Sequence, residues 1–411
     1  MRGIPYNKEK HLAKCLSIWT DVGWLEKGEE KLVERLFDSS DALVGEHDGE
    51  AVALSFAHSG TLRHASHHQD LPFCAISAVT VAYHVRKLGF AGTLTAELLA
   101  RGAERGEAFA GLGMFEQGFY DRLGFANFPY TRISEFRPSD LKLSGSFSSE
   151  PVRLSKKNWA DIHRCRISRL RWHGSINLPA AITRADMEVN KRTFAIGFRD
   201  TDGELTHHYV VRSVKGEHGP MSIAWMAFRT PKQFQDILLS IKSFGDQIDL
   251  VRMQEPTGIQ FQSLQQRPIS SGRRSSDSPH SKVGIRTGCW SQGRILDVEA
   301  CINGMECTGA QYNFNLILTD PIGEYLDPSF KWRGCGGEYT IELSESSNTQ
   351  KGLTANLPVM KCSVNTFSKL WTGTAKPSML PYTDNIEAPS SLLEELDKTL
   401  VLPEPSFDWD F

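Results

Sequence analysis

At 411 residues the chain is too long for one core, and roughly 150 residues per domain gives about three. With 40% hydrophobic and 23% charged residues each domain can bury a core, which excludes a disordered protein. A net charge of −3 gives no whole-chain reason to expect nucleic acid or an acidic membrane as partner. The N-terminal MRGIPYNKEKHLAK has no apolar stretch of signal-peptide length, and no segment approaches the roughly 20 apolar residues of a membrane-spanning helix. The eight cysteines include no C-x-x-C pair, so free thiols in a reducing cytoplasm and no metal site are expected.

Residues 8–37 read as helical: Leu12, Cys15, Leu16 and Trp19 recur at helical spacing, as do Leu32, Val33 and Leu36. ALVGEHDGEAVALSFAHSG predicts a β-hairpin turning at Asp48-Gly49. ISAVTVAYHV, rich in β-branched residues, reads as a buried strand. RKLGFAG follows it, and TLTAELLARGAERG is predicted as a helix with Leu94, Leu98 and Leu99 inward. AFAGLGMF reads as a short strand, and EQGFYDRLGF as a helical turn leading to a last strand. The order describes a mixed α/β domain over residues 1–145.

Ser/Gly-rich LKLSGSFSSEP reads as a linker or loop. Residues 151–267 repeat the scheme. A helix in NWADIHRCRISRLRW precedes strand FAIGFRD, turn Asp202-Gly203 and strand HHYVVRSV; strand MSIAWMAFR, helix TPKQFQDILLSIKSFG and strand DQIDLVRMQ follow. No Gly-rich loop separates AWMAFR from its helix, so this is read as a duplicated domain that lost a cofactor loop. RPISSGRRSSDSPHSK is a polar surface connection. Residues 284–411 alternate strand-like runs (ILDVEACI, YNFNLILTD, YTIEL) with helical ones (VNTFSKLWTG, SSLLEELDKTL), a third domain of α+β type with an extended tail, PEPSFDWDF.

The segment that carries chemistry is AVTVAYHVRKLGFAGTLTAELL, where a strand enters a short loop and a helix begins at once. A diphosphate needs several N–H donors converging without bulky side chains, which glycine permits and a helix N-terminus supplies. Arg86 and Lys87 add positive charge. The spacing Arg86-x-x-Gly89-x-Ala91 is neither G-x-G-x-x-G nor a P-loop.

Arg-x-x-Gly-x-Gly/Ala between strand and helix resembles the acetyl-coenzyme A (acetyl-CoA) loop of the GNAT acetyltransferases. ISAVTVAYHVRKLGFAG with EQGFYDRLGF downstream is similar, more narrowly, to the enhanced intracellular survival (Eis) family; the close likeness covers about residues 75–130 and the last few residues. The resemblance implies two fused GNAT-like domains, the second degenerate, and a sterol-carrier-protein-like α+β domain, in a homo-oligomer, commonly a hexamer. It implies that backbone groups of Val79 and Val81 pair with the pantetheine arm, and that Arg86, Lys87, Gly89, Ala91 and Gly92 hold the diphosphate. Several members have Gly where Ala91 stands, and its Cβ leaves less room.

Read from the residues alone, Tyr120 beside Phe119 and Phe125 is a core tyrosine; the resemblance makes it the general acid that protonates the CoA thiolate. The resemblance also implies that the C-terminal carboxylate, here on Phe411, is the base for the incoming amine, with Glu116 the alternative through water. Asp21 and Asp410 could offer charge to a polyamine-like substrate, and Trp19 and Trp24 could line its pocket, although a surface Asp and two core tryptophans are the stronger reading of the pattern. Histidines 64, 67 and 68 are expected in a solvated loop. With no Gly-x-Ser-x-Gly, direct attack by the amine is expected rather than an acyl-enzyme.

The expected activity is therefore N-acetyl transfer from acetyl-CoA to a small-molecule amine, aminoglycosides or other multi-amine compounds included. Two other readings stay open: a lipid- or hydrophobic-ligand carrier with a silent transferase module, and a protein lysine acetyltransferase.

Overall fold

The computed structural model describes residues 2–26, 28–189, 192–214, 216, 218–268, 283–309 and 311–410. The fold is mixed α/β and divides into two compact units: Met1–Pro129, Trp172–Pro179 and Cys289–Phe411 form one, Tyr130–Arg171 and Ala180–Gly288 the other.

The first unit opens with β1 (Ile4–Pro5) and α1 (Lys8–Asp21), whose start is fixed by the Asn7 side chain accepting from the Lys10 N–H at 3.0 Å. α2 (Glu30–Asp38) precedes the expected hairpin, β2 (Asp41–His47) and β3 (Glu50–Leu62), which turns at Asp48 and Gly49. β4 (Leu71–Val81) begins earlier than its sequence suggests and stops sooner: the YHV expected to end it is a 3-10 turn, Tyr83–Val85. α3 (Phe90–Glu104), β5 (Phe109–Gly113), α4 (Gln117–Asp121) and β6 (Ala126–Asn127) follow.

The second unit begins with β7 (Thr131–Phe136), β8 (Pro151–Leu154) and α5 (Trp159–Ile167). β9 (Ile176–Asn177) returns to the first unit and pairs with β3. α6 (Ala180–Glu188), β10 (Phe194–Arg199), β11 (Leu205–Val214), β12 (Met221–Ala227), α7 (Pro231–Lys242), β13 (Val251–Gln254) and β14 (Gly284–Gly288) complete the second. Its described strands form one sheet, β14-β7-β13-β12-β11-β10-β8.

Strand pairing departs from the boundaries expected from sequence. β7 falls within 1–145 and β14 within 284–411, yet they pair with each other, and β7 also pairs with β13. LKLSGSFSSEP lies inside this unit rather than between domains, because Lys232 and Lys242 donate to the carbonyls of Ser146 and Leu143 at 2.9 and 2.6 Å. Most of the expected polar connection, residues 269–282, lies outside the described residues.

The chain then re-enters the first unit. β15 (Ser291–Ile295) inserts between β5 and β6, antiparallel to both, giving the order β1-β2-β3-β4-β5-β15-β6. ILDVEACI, expected as a strand, contributes only its first residue to β15; α8 (Val298–Ile302) takes its last five because Asp297 caps it, accepting from the Ala300 N–H at 3.0 Å. β16 (Tyr312–Thr319), β17 (Gly337–Leu343), β18 (Asn348–Lys351), β19 (Val359–Ser363) and β20 (Ile386–Glu387) form a separate sheet, β18-β17-β16-β19-β20, accompanied by α9 (Val364–Trp371) and α10 (Ser390–Thr399).

α3 is buried on every side: Gly92, Thr95, Ala96 and Ala100 are as enclosed as the three leucines predicted to face inward. One side packs on the sheet and another receives Ile322, Tyr325 and Leu326 from the C-terminal segment. No described helix is long and apolar enough to cross a membrane, and all eight cysteines are unbridged.

Candidate active site

β4 pairs in parallel with β5 only from Phe73 to Ile76, opposite Phe109 to Leu112. Beyond that point Ala78 takes a positive φ of 56° and the β3–β4 register slips, so the strand bends away. Ser77, Thr80 and Val81 keep their pairing with β3 while Ala78 and Val79 fall in the bulge, and residues 77–81 present an open edge where β5 has diverged. An open edge carries unpaired N–H and C=O groups, which an extended amide-bearing chain can satisfy as an added strand.

The loop after β4 is built to leave donors free. Lys87 and Gly89 both have positive φ, 66° and 96°, and Gly89 is the N-cap of α3 without any side-chain capping bond. Thr93 is the first residue of α3 whose N–H reaches back, to the Gly89 carbonyl at 3.1 Å. Among the described residues no group accepts from the N–H of Arg86, Lys87, Gly89, Phe90, Ala91 or Gly92. Those donors meet the positive end of a 15-residue helix beside two exposed cations, Arg86 and Lys87. A diphosphate fits this donor set.

Gly92 has a further reason to lack a side chain. A Cβ there would come within 3.1 Å of the Tyr325 ring. The residue is buried, and its smallness admits the C-terminal segment to the outer face of the helix.

Tyr120 lies on α4, 7% exposed, its ring edge-on to Phe119 at 4.9 Å and to Phe125 at 6.1 Å. Burial first, and the Glu116 carboxylate second, push its phenol up to about 12. Nothing among the described residues hydrogen-bonds its hydroxyl, so the proton is free to be given to a ligand. Glu116 is exposed and precedes α4 as its N-cap.

Phe411 lies outside the described residues, but the tail that leads to it is docked rather than frayed. Phe407 stacks on Phe128 at 3.8 Å and meets Phe73 edge-on at 5.7 Å; Trp409 is buried; the Asp408 carboxylate accepts from the Ile176 N–H at 3.0 Å. Asp410 is exposed.

The two tryptophans part company. Trp19 belongs to the core with Val33, Phe37 and Phe56, so it lines no open surface. Trp24 is 38% exposed and stacks on Phe115, itself 83% exposed, at 5.5 Å. Asp21 is exposed at the end of α1, and its carbonyl lies 3.4 Å from the hydroxyl of exposed Tyr83. Phe115 and Tyr83 were not singled out from sequence, since a lone aromatic beside a strand carries no periodic signal.

The expectation of a solvated histidine loop is wrong for two of its three members. His64 stacks on Trp371 at 4.3 Å and approaches His173 edge-on at 4.6 Å. Nε2 of His64, His67 and His173 bond the carbonyls of Trp371, Cys301 and Thr372 at 3.0, 2.9 and 2.9 Å. Burial holds all three below the ordinary histidine range, His173 at about 4. Only His68 is exposed, paired with Glu306. No group of three His, Cys, Asp or Glu side chains among the described residues is arranged to hold a metal ion.

The second unit has the same divergence without the donors. β12 and β13 pair in parallel only at Met221 and Ser222. The helix that follows, α7, starts with Pro231, which has no N–H, and the Thr230 hydroxyl already accepts from the Gln233 N–H. A helix capped by its own residues has little to offer an anion.

Residues 5–128 match a family model described as an acetyltransferase (GNAT) domain. No curated protein matches the chain. Among solved structures, a probable N-acyltransferase from Enterococcus faecalis V583 is similar with a TM-score of 0.80 at 15% identity, covering 100% of this chain and 98% of that one. A GCN5-related N-acetyltransferase from Anabaena variabilis gives 0.79 at 14% identity, covering 100% of both chains. Eis1 from Mycobacterium abscessus gives 0.73 at 14% identity, covering 100% and 99%. At such identities the likeness concerns the fold.

Proposed function

We propose that this chain, whose residues 5–128 match the GNAT acetyltransferase domain model, transfers an acetyl group from acetyl-CoA to the amine of a small cationic acceptor. The observation that carries the reading is the set of unpaired N–H groups from Arg86 to Gly92, lying next to the open β4 edge at 77–81. The first would hold the diphosphate and the second, through Val79 and Val81, the pantetheine arm. The thioester supplies the acetyl group.

The amine nitrogen attacks the acetyl carbonyl carbon, which a backbone N–H of the open edge polarises. The new C–N bond forms as the C–S bond breaks. The Tyr120 phenol gives its proton to the departing sulfur, and the amine loses one to a carboxylate, that of Phe411 or of Glu116. The products are an N-acetyl amide and the free thiol.

Exposed Trp24 and Phe115, with Asp21, Glu116 and Asp410, supply aromatic faces and negative charge suited to a multi-amine acceptor of the aminoglycoside or polyamine kind. A homo-oligomer belongs to the same reading and is tested by analytical ultracentrifugation.

Calorimetry with acetyl-CoA on the folded protein, followed by thiol release with an amine panel, tests the proposal. Micromolar association and amine-dependent thiol release are expected. Absence of any association at millimolar ligand rejects it.

A further inference from the structure

We infer that Asn365 and Arg294 are positioning residues for the Tyr120 proton donor, so that the C-terminal segment takes part in the transfer by holding the turn on which that donor sits. The inference rests on the acid role proposed above for Tyr120.

α4 spans five residues, Gln117–Asp121, too few to be stable by their own hydrogen bonds. What fixes the turn comes from elsewhere in the chain. The Asn365 side-chain amide, at the start of α9, donates to the carbonyls of Asp121 and Phe125 at 2.8 and 2.6 Å. Arg294, on β15, donates to the carbonyl of Leu123. Gln292 on the same strand donates to the Asp121 carboxylate at 2.6 Å. These grips enclose Tyr120, whose own carbonyl accepts from the Leu123 and Phe125 N–H groups at 2.9 and 3.2 Å.

Arg294 is itself immobilised. It is fully buried and ion-paired to buried Asp320 at 2.5 Å. Gly124, in RLGF, makes room for it: φ there is 82°, and a Cβ would stand 2.5 Å from Arg294 Nη1. With no partner for the hydroxyl among the described residues, the phenol is aimed by the set of its turn and by ring packing alone. A misplacement of about 1 Å can cost a reaction ~100-fold.

The test compares Asn365→Ala, Arg294→Lys and each combined with Tyr120→Phe. Either single variant should lower kcat about ten-fold while leaving the Kd for acetyl-CoA, by calorimetry, within about two-fold. In the Tyr120→Phe background neither should lower kcat further. In protein labelled with 3-fluorotyrosine, the signal lost in Tyr120→Phe identifies Tyr120 among nine tyrosines, and it should shift or broaden in Asn365→Ala. Arg294→Lys perturbs a buried ion pair and can unfold the chain; Asn365→Ala leaves that pair intact and carries the test alone if needed.

Unchanged kcat in Asn365→Ala, an equal further loss in the Tyr120→Phe background, or a parallel loss of acetyl-CoA binding overturns the inference. Tyr120→Phe alone separates the two ideas. Wild-type turnover there sinks the acid role and this inference together, whereas a large loss there beside a normal Asn365→Ala sinks only this one.

Discussion

A phenol that is to give a proton to a thiolate must still hold that proton at working pH. At Tyr120, burial and the Glu116 charge both act that way, moving the group from its ordinary value of 10.0 to about 12. Tyr120→Phe should lower kcat about 100-fold with acetyl-CoA affinity nearly unchanged. The wild-type kcat profile should show no falling limb below about pH 10; a limb near 8 would reject Tyr120 as the acid. His173 works in the opposite sense. Folded, it binds a proton near pH 4; unfolded, near 6.5. Between those values the unfolded chain binds more protons, so stability present above about pH 6.5 is lost as pH falls. From His173 alone the loss at pH 5 is about 2 kcal/mol. Urea midpoints at pH 7 and pH 5 should converge in His173→Asn relative to wild type, and an undiminished gap would discount this residue.

Between β4 and α3 the loop was readable from sequence because its chemistry is local: two cations, a left-handed glycine and an immediate helix start lie within seven residues. The hairpin at Asp48 and α7 after β12 were legible for the same reason. What could not be read depends on residues far along the chain. Only Leu94, Leu98 and Leu99 advertised an inward face of α3, since the cover that encloses its other side, Ile322 and Leu326, is more than 200 residues away. β15 carries too few apolar residues to declare that it would sit between β5 and β6. The histidine loop resembles a solvated one because Trp371 and His173, which enclose it, each lie more than 100 residues away. The tail joins a local and a distant signal: its aromatic residues stand out in the sequence, and only the structure shows Phe407 docked on Phe73 and Phe128. Adding residues after Phe411 should therefore abolish turnover while sparing acetyl-CoA binding. Normal rates in that extended protein would leave Glu116 as the base, and Glu116→Gln should then be the inactive one.

Across the whole chain a net charge of −3 conceals a segregation. The first unit holds 21 Lys and Arg against 34 Asp and Glu; the second holds 25 against 15. The unit carrying the proposed active site is thus strongly acidic, which favours the encounter with a cationic acceptor and is screened by salt. For a multi-amine acceptor, kcat/KM should fall several-fold from low to physiological ionic strength, and for a neutral-bodied monoamine much less. Equal salt dependence for both would remove charge steering from the account. The insertion of β15 reaches further still, into how the protein is made. A ribosome delivers β5 early, but the strand that must lie against it emerges only after the entire basic unit has been translated. Through that interval the nascent chain carries an unzipped sheet edge, so its maturation should lean on holdase chaperones and suffer when translation stalls late in the message.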